Sequence, residues 1–159
     1  MNIIALDIDD AILPSNQTYF GKTNDSLQLF EINLKRIVMM CEKWNMKIFI
    51  ISAWSSNLLT DINKNLIIKN NKLINLEYNG IKSSKLLCEY LSGYIYGIKN
   101  TSKETAIKNL LNDGHKVVTI EDTDFSYIKH KNHLFCKTYG FISNRHSYSI
   151  KNFMELNND

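Results

Sequence analysis

The chain has 159 residues, 44% hydrophobic and 22% charged, which fits one globular domain with its own core and excludes a disordered tail or a collagen-like rod. One proline and six glycines leave no linker on which a second domain would hinge, so we count a single domain, 1–159. The formal charge of +3 is too mild to hold a protein on a nucleic-acid duplex by itself, but acids gather at Asp7, Asp9, Asp10 and at Glu121, Asp122, Asp124, while Lys129 to Lys151 is basic.

In chain order, Asn2 to Ile8 reads as a strand that is apolar on both faces, as in the middle of a parallel sheet, and it ends in acids. A polar turn over 14–25 leads to an amphipathic helix carrying Leu27, Phe30, Leu34, Ile37, Val38, Cys41 and Trp44, capped near Asp25 or Ser26. Lys47 to Ser52 predicts a second buried strand, 57–66 a helix, Lys72 to Tyr78 a short strand, and Ser83 to Tyr96 a helix. Ser102 caps a helix that runs to Leu111 and closes at Asn112-Asp113-Gly114. Lys116 to Ile120 is a strand ending at Glu121-Asp122, and Leu134 to Thr138 is a last strand.

Strands alternating with helices predict a three-layer α/β/α sandwich, Rossmann-like, with a mostly parallel sheet and a ligand crevice beyond the carboxyl ends of its strands. The N-terminal stretch turns acidic before any leader-length apolar segment, and no run approaches the ~18 apolar residues of a membrane span. Cys41, Cys88 and Cys136 lack the spacing of a disulfide framework or a zinc site. A cytoplasmic protein with reduced thiols and no membrane partner is expected.

Asp7 and Asp9 sit two apart on an extended backbone and project to the same side. With Asp122 alongside they make a carboxylate cluster. Two such charges ~5 Å apart repel by about 3 kcal/mol at an effective dielectric near 20, so the cluster calls for a counter-charge. Oxygen ligands without Cys or His point to Mg²⁺ rather than zinc.

The run Ala5-Leu6-Asp7-Ile8-Asp9-Asp10-Ala11-Ile12-Leu13 resembles the first motif of the haloacid dehalogenase-like phosphohydrolases, an apolar strand followed by Asp-x-Asp-x-Thr and an apolar residue. Ile50-Ile51-Ser52 is similar to the second motif, Lys103 to the third, and Val118-Thr119-Ile120-Glu121-Asp122 to the fourth, in the right order over most of the chain. The resemblance implies hydrolysis of phosphate monoesters. Asp7 would be the nucleophile that forms an aspartyl-phosphate, and Asp9 the general acid and base. Ser52 and Lys103 would hold the phosphoryl oxygens, and Mg²⁺ would sit on Asp7, the Asp9 carbonyl and the fourth motif. Which of Glu121, Asp122 and Asp124 binds the metal is open, with Asp122 favoured, and Lys99 and Lys108 compete with Lys103.

Ala11 stands where the family usually has Thr, and Glu-Asp stands where Asp-Asp or Gly-Asp is commoner. A catalytically silent binding or regulatory module is the alternative those departures raise, and a phosphotransferase would use the same residues. The intervals between motifs leave room for no more than a modest cap. Ser52-Ala53-Trp54-Ser55-Ser56-Asn57 resembles the small branch of the superfamily associated with RNA-repair proteins. Trp54 and Ser55 are therefore candidate substrate-binding residues, although Trp54 reads first as a packing residue. With Lys129, His130, Lys131, His133 and Lys137, which read first as a solvated face, they make a nucleotide or a phosphorylated nucleic-acid end the candidate substrate.

Overall fold

Ile3, Ile4, Ala5 and Leu6 are all fully buried, as a strand covered on both faces requires. A computed structural model of the chain describes residues 1–14, 24–52, 66–69, 72–75 and 82–156. Its elements are β1 (Asn2–Leu6), α1 (Asn24–Trp44), β2 (Met46–Ile50), β3 (Leu66–Lys69), β4 (Lys72–Asn75), α2 (Lys82–Leu91), β5 (Ile95–Ile98), α3 (Lys103–Asn112), β6 (Lys116–Glu121), β7 (His133–Lys137) and α4 (Asn144–Leu156). Five strands form one all-parallel sheet in the order β5-β2-β1-β6-β7.

Side-chain alternation along β1 divides the core into two layers. Ile4 and Leu6 join Phe30, Leu34 and Ile37 of α1, Leu87 and Leu91 of α2, and Ile150 and Met154 of α4 on one face. Ile3 and Ala5 join Ala106, Ile107 and Leu110 of α3 on the other, together with Phe125 and Ile128 from the loop after β6. The α/β/α sandwich is thus the observed fold, and each fully buried Phe or Leu on these faces stabilises it by ~1.5–3 kcal/mol.

Several predicted elements are placed differently. The expected helix over 83–96 stops at Leu91, passes through a 3-10 turn at Ser92–Tyr94 and becomes β5, which pairs with β2. Gly97 permits that pairing, because a Cβ there would lie 2.8 Å from the Phe49 ring. The short strand expected from Lys72 is β4, but it pairs antiparallel with β3 in a separate hairpin and not with the main sheet. Residues 57–65 of the expected second helix lie outside the described residues, and Leu66 begins a strand. Helix α1 starts at Asn24, and the Ser26 hydroxyl donates to the Pro14 carbonyl (2.6 Å) instead of capping. Sequence reading made no prediction for α4.

Among the described residues, no helix is long and apolar enough to cross a membrane. All three cysteines are free, and burial pushes the Cys41 and Cys136 thiols up to about 12 and Cys88 to about 11, so they pack as small apolar groups.

Candidate functional site

The strand order reverses direction at β1, which leads to β2 on one side and pairs with β6 on the other. In an open parallel sheet, that reversal opens a crevice beyond the carboxyl ends of the strands. Leu6 is level with Ile120 and Ile50, the Asp7 N–H donates to the Ile120 carbonyl (3.0 Å), and the Ile51 N–H donates to Leu6 (2.9 Å). Continuing that register sets Asp7 level with Glu121. Period-two alternation puts both on the face that carries Ile3, Ala5 and Val117, the face covered by α3.

There the acids converge. Asp7 is 4% exposed, Glu121 is fully buried and Asp122 is half-buried, and one carboxylate oxygen from each lies within 4.8 Å of the other two. Lys103 Nζ sits 2.9 Å from Glu121 Oε2 and 3.4 Å from Asp7 Oδ1. Lys103 is the first residue of α3, whose N-cap is Ser102, with its hydroxyl accepting from the Thr105 N–H (3.2 Å). A cation in the first helical turn opposes the helix dipole by ~0.3–1 kcal/mol, so helix stability does not explain it. The acids do.

Burial raises the Asp7 carboxyl above its ordinary range, while the hydrogen bond with Glu121 and the Lys103 charge pull it back part of the way. Glu121 is pushed up to about 9, by burial first and then by its hydrogen bonds with Asp122 and Asp7. Burial works against Asp122 as well, but its hydrogen bonds with Glu121 and Asp7 bring it below the usual value. Lys103 is held above its ordinary value because the Asp7 and Glu121 charges outweigh its burial. Glu121 Oε1 accepts from the N–H groups of Asp122 (3.1 Å) and Thr123 (3.3 Å). The Oε2 contact with Lys103 is an ion-pair distance without hydrogen-bond alignment, so a fully buried oxygen is left without a well-directed donor.

The three carboxylates could together hold a metal ion. Ligands of one octahedral Mg²⁺ lie about 3–4.2 Å apart at its metal–oxygen distance of about 2.1 Å, so these groups, each within 4.8 Å of the others, would draw together to share one ion. Asp7, Glu121 and Asp122 are the residues that offer it ligands. Asp124 is excluded from this group: it is exposed, and its Oδ1 accepts from the Ser126 N–H (2.8 Å) in a local turn.

The Asp9 carboxylate stands outside the cluster on a tight loop and is half-exposed. In that loop the Ile8 carbonyl accepts from the N–H groups of Ala11 (3.2 Å), Ile12 (3.0 Å) and Leu13 (3.0 Å), and Asp10 takes a left-handed φ of 62°. No hydroxyl at position 11 is needed to close it. Buried Asn33 of α1 does so, donating from Nδ2 to the carbonyls of Ile12 (2.7 Å) and Gly140 (3.0 Å) and accepting at Oδ1 from the Ile142 N–H (2.9 Å). Sequence reading missed Asn33, whose signal is a polar residue inside the apolar stripe that holds Phe30, Leu34 and Ile37.

Ser52 is buried at the carboxyl end of β2, the strand beside β1. Trp54 and Ser55 lie outside the described residues. Lys99 Nζ reaches the Thr101 carbonyl and Lys108 pairs with Glu104, so among the competing lysines the structure brings Lys103 to the acids. The basic stretch divides. His130 and Lys131 belong to the turn at the amino edge, where the Asn132 carbonyl accepts from the Val117 N–H, whereas Lys137 ends β7 at the carboxyl edge. Both ring nitrogens of His133 are engaged internally, by the Ile128 carbonyl and the Thr119 hydroxyl (2.9 Å each). No family model, no curated protein and no solved structure matches the chain.

Proposed function

We propose that the chain is a Mg²⁺-dependent phosphomonoesterase of the haloacid dehalogenase-like type, essentially capless, working through an aspartyl-phosphate. The observation that carries this reading is the meeting of Asp7, Glu121 and Asp122 with Lys103 at the reversal point of a parallel sheet, at the ends of the elements where the four motifs fall.

In the first step an Asp7 carboxylate oxygen bonds to phosphorus, and the ester oxygen departs with a proton from Asp9. In the second, Asp9 takes a proton from water as the water oxygen bonds to phosphorus, and the Asp7–phosphorus bond breaks to release phosphate. Lys103 and Ser52 hold the phosphoryl oxygens, where charge gathers. Mg²⁺ on the three carboxylates would offset repulsion between the anionic nucleophile and the anionic phosphate. The half-exposed Asp9, outside the buried cluster, suits a group that exchanges protons with substrate and water. Nucleotides and phosphorylated nucleic-acid ends are the substrates proposed. Three thiols kept protonated by burial suit a reducing cytosol.

The test is phosphate release from an aryl phosphate and from 3′- and 5′-phosphorylated oligonucleotides, with and without Mg²⁺. Turnover that requires the metal and disappears in Asp7→Asn is expected. A folded wild-type protein that turns over none of these refutes the reading, and absence of an Asp7 adduct with beryllium fluoride would then assign the chain to a silent binding module.

A further inference from the structure

The end of β7 and the start of α4 enclose, with Arg36 of α1, a cleft of about 750 Å³. Its lining includes Arg36, Lys137, Tyr139, Phe141, Arg145 and His146 and, among the described residues, no Asp or Glu. Tyr139 is 78% exposed and Phe141 38%. Each carries a cation: the Arg36 guanidinium lies 5.1 Å from the Phe141 ring centroid and Lys137 Nζ lies 5.5 Å from that of Tyr139.

The platform is held firmly. Arg36 Nη1 donates to the Ile142 carbonyl (2.6 Å). His146 is a brace rather than a ligand group, since its Nδ1 accepts from the Ser143 N–H (3.0 Å) and its Nε2–H donates to the Lys137 carbonyl (2.7 Å). Gly140, between the two aromatics, has a φ of 86° and packs on Pro14, and Asn33 ties this turn to the loop that carries Asp9. Lys137 is in register with Glu121 on the next strand, one strand spacing of ~4.8 Å away. Lys137 of the cleft thus ends its strand at the same edge of the sheet as the acids.

We propose that this cleft binds single-stranded nucleic acid, with Lys137, Arg145 and Arg36 on backbone phosphates and Tyr139 and Phe141 stacked on bases. Binding stands on the cleft alone; that the bound strand presents a terminal phosphate monoester to Asp7 rests on the phosphomonoesterase reading. Three cations with no acid among the described lining residues attract any polyanion, but two exposed rings among them match bases, which a phosphopeptide does not supply. A groove of this kind also needs no high net charge, which accommodates the modest +3 of the whole chain.

The probe is a labelled single-stranded RNA or DNA 12-mer with hydroxyl ends, followed by fluorescence anisotropy at several salt concentrations, so that no turnover is involved. Saturable binding is expected. Tyr139→Ala should weaken it about tenfold. Lys137→Gln with Arg145→Gln should lower the slope of log affinity against log salt by roughly 1.4, two phosphate contacts at ~0.7 each. Aryl phosphate turnover should be unchanged in Tyr139→Ala and Arg145→Gln. No binding by the wild type, or binding that these substitutions leave unchanged, overturns the proposal; so does a phosphoserine peptide that binds here in the oligonucleotide's place. Oligonucleotide binding with the expected losses but no phosphate release from any monoester supports the cleft and refutes only the phosphatase.

Discussion

Replacing Lys103 by Met removes the one ammonium group seen against the acids while keeping a chain of similar length. At 3.4 Å and an effective dielectric near 20, its attraction to an ionised Asp7 is about 5 kcal/mol. Most of that does not become lost stability. The variant is spared the desolvation of a buried ammonium, and Asp7, already raised by burial, can take up a proton once Lys103 is gone. A loss of about 1–3 kcal/mol is expected, which for a chain of this length lowers the melting temperature by roughly 3–10 °C. On the proposed mechanism catalysis has no such escape, because an Asp7 that takes up a proton is a poorer nucleophile and the transition-state charge on the phosphoryl oxygens loses its cation. Losing a charged donor there costs about 10²–10³ in kcat. The assay is aryl phosphate turnover at saturating Mg²⁺ beside a thermal melt. Lys103→Arg, which keeps the charge but spreads it over a planar fork, should fall between wild type and Met. If Lys103→Met melts as described yet turns over within about threefold of wild type, the lysine serves stability alone and its phosphoryl role is wrong.

Asn33→Ala strips partners from two buried carbonyls and one buried N–H, which at ~1 kcal/mol each lowers stability by about 3 kcal/mol in a urea titration; a loss below ~0.5 kcal/mol would mean the two loops hold without it. His133 is kept neutral, its Nδ1–H donating to Ile128 and its Nε2 accepting from Thr119, and burial with the nearby His130 lowers its pKa. Its contribution is therefore present above the unfolded value near 6.5 and is lost as pH falls through the lowered folded value. Urea midpoints should show wild type losing its advantage over His133→Gln between pH 7.5 and 5.5, and parallel profiles would contradict the assignment.

The strands from Asn2, Lys47 and Lys116 were legible because a run of apolar residues bounded by acids or a serine has few other readings, and the helix carrying Phe30 to Trp44 because its spacing is regular over several turns. Ile95 to Ile98 was not. The apolar residues Leu86, Leu87, Tyr90, Leu91 and Tyr94 continue into it without a break in periodicity, and what makes it a strand is a pairing with Ile48–Ile50 across 45 or more residues, with Gly97 making room for Phe49. The β3–β4 hairpin shows the same limit, since the residues from Lys72 have strand character whether their partner is the main sheet or a neighbour a few residues away.

At the site, residue types were legible and depth was not. Glu-Asp after an apolar strand marks a carboxylate-bearing strand end, but which acid turns inward depends on the register of β6 against β1, with Leu6 opposite Ile120. That register makes Glu121 the fully buried neighbour of Asp7, 2.9 Å from Lys103, and leaves Asp122, the acid favoured for a metal, half-buried in the same cluster. Lys103 was readable from its place at the opening of a helix, where the third motif of the resemblance has a lysine, and the structure adds a physical reason. A lysine at the first position of a well-capped helix runs against the helix dipole, a local conflict that neighbouring acids resolve. Asn33 is the same kind of signal on the buried face of α1. A polar side chain there is tolerable only if its hydrogen bonds are met, and the groups that meet them belong to the Asp9 loop and to the Tyr139–Phe141 turn. One side chain thereby joins the loop that carries Asp9 to the turn that carries Tyr139 and Phe141.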